Sequence, residues 1–124
     1  MELKNQVTNL EFSRKMNDLG FNEPSLFEHV KIGRKFQGKE SFRYTVKYCD
    51  EYPDEYDYIV KTIPAYTVAE LGAMLLDGYK NFKRKGIWFC KYADDSGYNR
   101  CSKAKTEANA RAKMLIYLKE KNLI

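Results

Sequence analysis

Residues 105–124 read KTEANARAKMLIYLKEKNLI, with alanines at alternate positions Ala108, Ala110 and Ala112 running into the apolar stretch Met114 to Leu118. At about 100° per residue, Ala104, Ala108, Ala112, Leu115, Ile116 and Leu118 fall on one arc of a helix. Small side chains let that arc approach a neighbour more closely than leucines would. The spacing therefore predicts a long C-terminal helix packed tightly on a sheet, and the rest of the chain has to supply that sheet.

Upstream of the helix, Ile87 to Tyr92 reads as an apolar strand. Residues 94–97, Asp-Asp-Ser-Gly, have the form of a four-residue hairpin loop with Gly97 where positive φ is needed. That register would place Ala93 opposite Tyr98 and Cys90 opposite Cys101. Lys80 to Gly86 reads as a basic connector. Thr67 and Glu70 form a capping box with Tyr66 able to staple onto Leu71, and Asp77-Gly78 closes that helix.

Farther back, Phe42, Tyr44, Val46 and Tyr48 alternate with Arg43, Thr45, Lys47 and Cys49, the period of a half-buried strand. Tyr56 to Ile63 repeats the pattern, and the intervening residues 50–55 carry the proline and acids of a polar turn, which predicts a hairpin. Leu26 to Ile32 reads as a strand and Gly33 to Gly38 as a basic loop. Near the N-terminus, Thr8 and Glu11 have capping-box spacing ahead of Phe12, Met16 and Leu19. Gly20 suits a left-handed C′ residue, Phe21 its hydrophobic contact, and Pro24 blocks continuation.

The expected order is α-β-β-β-α-β-β-α, with each strand pairing explained by a local hairpin. That is an α+β class with a mainly antiparallel sheet. A length of 124 residues fits a single domain, 1–124. With 44% hydrophobic and 31% charged residues the composition is that of a globular protein. No apolar run approaches the roughly 18 residues of a spanning helix. The first residues carry an early acid and no apolar core of a secretory signal, so the cytoplasm is the expected location and no membrane partner is expected. Three cysteines without CxxC spacing fit reduced thiols.

Chemistry is sparsely provided for. His29 is the only histidine, and no Gly-x-Ser-x-Gly elbow accompanies it. A zinc set of His29, Cys49, Cys90 and Cys101 would draw each ligand from an isolated position, whereas structural zinc sites supply ligands in close pairs. The acids at 50–57 lack the glycine and ligand order of a calcium loop, and no glycine-rich phosphate loop follows a strand. No catalytic residue, metal or cofactor is expected, and the protein reads as acting by binding.

Charge is uneven. Asp50, Glu51, Asp54, Glu55 and Asp57 lie within eight residues, and setting these five acids aside raises the formal +5 to +10 on the remainder. Tyr79 to Tyr92 interleaves five bases with five aromatics, the pairing that nucleic-acid binding uses for phosphates and base stacking. The competing reading makes Trp88 and Phe89 core residues and the lysines a polar loop. The candidate nucleic-acid surface is Lys80, Lys83, Arg84, Lys85, Arg100, Lys103 and Lys105. An alternative class is a protein–protein effector or structural component whose partner meets Tyr52, Tyr56 and Tyr58 beside the acidic turn.

Three segments, Leu19 to Pro24, Pro64 to Leu75 and Glu107 to Leu118, resemble in order a group of small uncharacterised proteins of phages and prophages of gut bacteria. They cover about a quarter of the chain. That group has no assigned activity, so the resemblance implies an accessory protein of a mobile element and carries over no site residue. Ser102 to Lys105 followed by alternating alanines is also similar to the end of double-stranded-RNA-binding domains, where lysines at a helix start meet phosphates.

Overall fold

The structure, a computed structural model, describes residues 2–48, 57–75, 79–93, 97 and 99–124. After a single 3-10 turn at Leu3–Asn5, the elements are α1 (Leu10–Asp18), β1 (Phe27–Phe36), β2 (Lys39–Tyr48), β3 (Asp57–Ala65), α2 (Val68–Met74), β4 (Tyr79–Arg84), β5 (Ile87–Ala93), β6 (Asn99–Ala104) and α3 (Glu107–Glu120). The α+β class and the antiparallel pairing are as the sequence reads, and α3 packs on β5 and β6. The strands, however, form two three-stranded sheets, ordered β2-β1-β3 and β4-β5-β6.

Two segments read as basic loops are strand. β1 runs on through Gly33 to Phe36, and Lys80 to Arg84 belongs to β4. Each closes into a two-residue hairpin, with Gln37 (φ 50) and Gly38 (φ 77) in the first and Lys85 (φ 51) and Gly86 (φ 79) in the second. Positive φ at both central positions matches the twist of the flanking strands. A basic composition hid these strands because their outward positions face water.

The hairpin expected between the Phe42 and Tyr56 segments does not exist. β2 and β3 both pair with β1, so they flank it and run parallel to each other. Residues 50–55 themselves lie outside the described residues, as do Cys49, Tyr52, Tyr56, Asp77 and Gly78. The second hairpin register is also one residue away from that expected. Ala93 pairs with Asn99, which sets Cys90 opposite Ser102 and Lys91 opposite Cys101. With a side-chain period of two, that single step sends Cys90 and Cys101 to opposite faces.

The first helix begins one residue later than expected. Asn9 is its cap, accepting from the Phe12 amide at 2.8 Å. Thr8 is instead fully buried, with Oγ1 2.6 Å from Ser13 Oγ and accepting from the Tyr66 amide at 3.0 Å. Thr8 also pairs through its backbone, donating to the Tyr66 carbonyl at 2.9 Å. At the other end Gly20 has φ 93, and the Phe21 amide returns to the Met16 carbonyl at 3.0 Å.

In α2 both halves of the capping box form, Glu70 N to Thr67 Oγ1 at 3.2 Å and Thr67 N to Glu70 Oε1 at 2.8 Å. Glu70 does more than cap. Its Oε1 accepts from Ser25 Oγ at 2.9 Å and its Oε2 from the Leu26 amide at 3.0 Å, which ties the entry of β1 to the start of α2.

The core centres on α3. Ala108, Ala110, Ala112, Met114, Leu115 and Leu118 are all fully buried, joined by Met16, Leu71, Tyr66 and Cys90. The helix meets β5 and β6 as well as α1 and α2, so it is covered on more than the single arc expected. That explains why the alanines alternate: positions two apart point to nearly opposite sides of a helix, and burial on both sides, against strands and against helices, needs small residues for close approach. Among the described residues, no helix is long and apolar enough to cross a membrane.

Candidate nucleic-acid interface

Pairing across β4, β5 and β6 fixes which side chains share a face. One face carries Tyr79, Asn81 and Lys83 from β4, Trp88, Cys90 and Tyr92 from β5, and Arg100, Ser102 and Ala104 from β6. Cys90, Tyr92 and Ser102 are buried there, under α3. The opposite face carries Lys80, Phe82, Arg84, Ile87, Phe89, Lys91, Cys101 and Lys103. No acid stands on that face among the described strand residues.

At the middle of the outward face the Phe82 and Phe89 rings stack, with centroids 5.1 Å apart and planes at 10°. Phe82 lies on the edge strand and keeps 39% of its surface exposed. Lys80, Arg84, Lys91 and Lys103 are exposed around this pair. Each is placed by the pleat: cations and rings alternate along β4, while across to β5 Lys80 faces Lys91 and Phe82 faces Phe89, with Lys103 of β6 opposite Phe89.

The seven bases singled out from the sequence do not form one surface. Lys80, Arg84 and Lys103 share the outward face, while Lys85 sits in the β4–β5 turn. Lys83 points to the other side, its Nζ 6.0 Å from the Trp88 ring centre. Arg100 also turns that way and lies over the Tyr117 ring at 4.2 Å. Lys105 lies in the link between β6 and α3, at a cavity taken up below. Lys91 belongs on the outward face although its charge alone did not distinguish it; counting alternate positions through β4 and β5 would have found it.

Of the tyrosines proposed for a protein partner, Tyr58 is described. Its ring lies against Gly33, where an added Cβ would clash with it, and its hydroxyl donates to Glu40. That hydrogen bond raises the phenol above its usual pKa. Beside it Asp57 accepts from Arg43 at 2.9 Å and sits 3.8 Å from Arg34. The Arg43 hydrogen bond holds its carboxyl below the usual range.

The residues weighed for catalysis or zinc are dispersed. His29 is on β1, as expected of a strand residue, but it is only 6% exposed rather than on the surface. Val7 and Thr8 cross beside it through their bridge to α2's cap, and the Thr8 carbonyl accepts from His29 Nε2 at 2.6 Å. Cys90 is buried in the other sheet, and burial pushes its thiol up to about 11. Cys101 is exposed on the outward face. Among the described residues, no group of three or more His, Cys, Asp or Glu converges as metal ligands would.

Comparison of the chain with protein-family models, with curated proteins and with solved structures found no match.

Proposed function

We propose that this protein binds single-stranded nucleic acid on the outward face of β4-β5-β6, as a non-enzymatic accessory protein of a phage or mobile element. The stacked Phe82–Phe89 pair within a field of Lys80, Arg84, Lys91 and Lys103 carries this reading. Rings offer stacking surface to any base, and cations track the backbone without reading sequence. A flat sheet face suits splayed bases better than the groove of a duplex. The resemblance to phage and prophage proteins supplies the setting.

A second reading, contact with a host or phage protein, draws on the first sheet. Phe36, Phe42, Tyr44, Tyr48, Tyr58, Ile59 and Val60 are all exposed there, an unusual amount of apolar surface.

Titration of fluorescent single-stranded and duplex oligonucleotides at low salt tests the first reading. Micromolar, sequence-tolerant binding of single strands is expected, with a logarithmic salt slope near 3 if four phosphates are neutralised at about 0.7 each. Phe82→Ala should weaken binding severalfold without changing the slope, and Lys80→Ala with Lys91→Ala should lower it by about 1.4. Binding to neither form of nucleic acid would move the protein-partner reading into first place.

A further inference from the structure

On the other side of the same sheet lies a cavity of about 610 Å³, lined by Gln6, Thr67, Lys83, Trp88, Lys105 and Glu107 among others. Its volume falls within the roughly 300–1,000 Å³ usual for small-molecule sites. Separate elements build it: Lys83 and Trp88 come from the β4–β5 hairpin, Lys105 from the link into α3, and Thr67 from the cap of α2. Trp88 is half-buried, so its indole forms an apolar wall that is still reachable.

Two lysines therefore line one cavity with an aromatic wall. The nearby carboxylate does not cancel them, because Glu107 is held by Arg111 at 2.9 Å. Lys83 lies 6.0 Å from the Trp88 ring centre, at the outer limit of a cation–π contact, so little is lost when its ammonium moves onto an anion. A ligand that satisfies all three groups needs a flat ring for Trp88 and a phosphate for the lysines.

We propose that this cavity is a nucleoside-phosphate site, with the base against Trp88 and the phosphate between Lys83 and Lys105. The ligand is either a free nucleotide or the phosphorylated end of a strand, which present the same chemistry. The site is independent of the outward face: Lys83 and Trp88 project from the opposite side of the sheet to Phe82 and Phe89.

Trp88 is the only tryptophan of the chain, so its fluorescence reports on the cavity directly. The experiment titrates the full chain with adenosine 5′-monophosphate, adenosine and inorganic phosphate, then competes with 5′-phosphorylated and 5′-hydroxyl hexanucleotides. The expected result is saturable quenching by adenosine 5′-monophosphate and at least tenfold weaker binding of adenosine. Lys83→Ala with Lys105→Ala should weaken the nucleotide at least tenfold, and Lys83→Gln with Lys105→Gln should do the same with the side-chain bulk kept. Lys80→Ala with Lys91→Ala should leave it unchanged while impairing long single strands, which separates this site from the outward face. Competition by the phosphorylated hexamer alone identifies a strand end as the ligand, and competition by neither identifies the free nucleotide. The proposal is overturned by absence of quenching up to about 10 mM nucleotide, or by quenching that survives loss of both lysines.

Discussion

His29 of β1 donates from Nε2 to the carbonyl of Thr8, 2.6 Å away, and this bond joins the first sheet to the segment that leads into α1. The carbonyl can only accept, so the neutral ring carries its proton on Nε2. Burial lowers the pKa of His29 from its ordinary 6.5; the Thr8 bond opposes that shift, and the charge of Arg14 adds to it.

A lowered pKa in the folded state makes stability pH-dependent with a definite sign. As pH falls through 6.5 the unfolded chain takes up a proton at this position while the folded chain resists, so acidification favours unfolding. The urea midpoint should drop between pH 7 and pH 5. His29→Gln, which keeps a donor, should flatten that drop; an equally steep profile in the variant would place the titration elsewhere. Loss of the Asp57 contribution belongs to a lower window, beginning below its ordinary 3.8.

Glu70 should matter more than the threonine it reciprocates. Thr67→Ala removes one cap acceptor and should cost about 1 kcal/mol. Glu70→Ala removes the acceptor of the Thr67 and Leu26 amides and leaves the Ser25 hydroxyl only the Ala65 carbonyl of its two acceptors here, and should cost about 2–3 kcal/mol. Urea denaturation of the two variants compares them, and equal losses would show that the Ser25–Leu26 contacts contribute nothing.

Ala110 is fully buried, on the opposite side of α3 from Ala108. Ala110→Leu inserts volume into a fully buried position and should destabilise by about 1–3 kcal/mol, although leucine is a good helix former. Thermal melts followed by circular dichroism check it. An unchanged or raised midpoint would mean that the core has room at this position.

The two described cysteines should differ in reactivity. Cys101 is exposed on the outward face, whereas Cys90 is buried and its thiol is pushed up to about 11. A thiol reagent at pH 7.5 should label Cys101 within minutes and Cys90 only after denaturation. Peptide mapping of the labelled sites distinguishes them. No Cys90–Cys101 disulfide should form under mild oxidation, since the two side chains project from opposite faces.

The features legible in the sequence are those set by residues a few positions apart. Thr67 and Glu70, Gly20 with Phe21, and the alternation from Phe42 to Tyr48 each express a local rule, because caps span three or four residues and strand side chains alternate with period two. The apolar density of residues 108–118 likewise announced the helix on which the core is built. Even the aromatics and all the bases but Lys103 of the proposed interface are visible as a composition between Tyr79 and Tyr92.

Only the tertiary structure decided how those pieces meet. β3 joins β1 rather than β2 because strand pairing is settled by which faces can be buried together, which no local pattern encodes. One residue of register separates Cys90 from Cys101 and sends them to opposite sides. The same alternation parts the basic residues, leaving Lys80, Arg84 and Lys103 beside the phenylalanines and turning Lys83 toward Trp88. His29 is buried by a segment twenty-one residues earlier in the chain, and that contact exists only because Val7 and Thr8 pair with Tyr66 and Thr67.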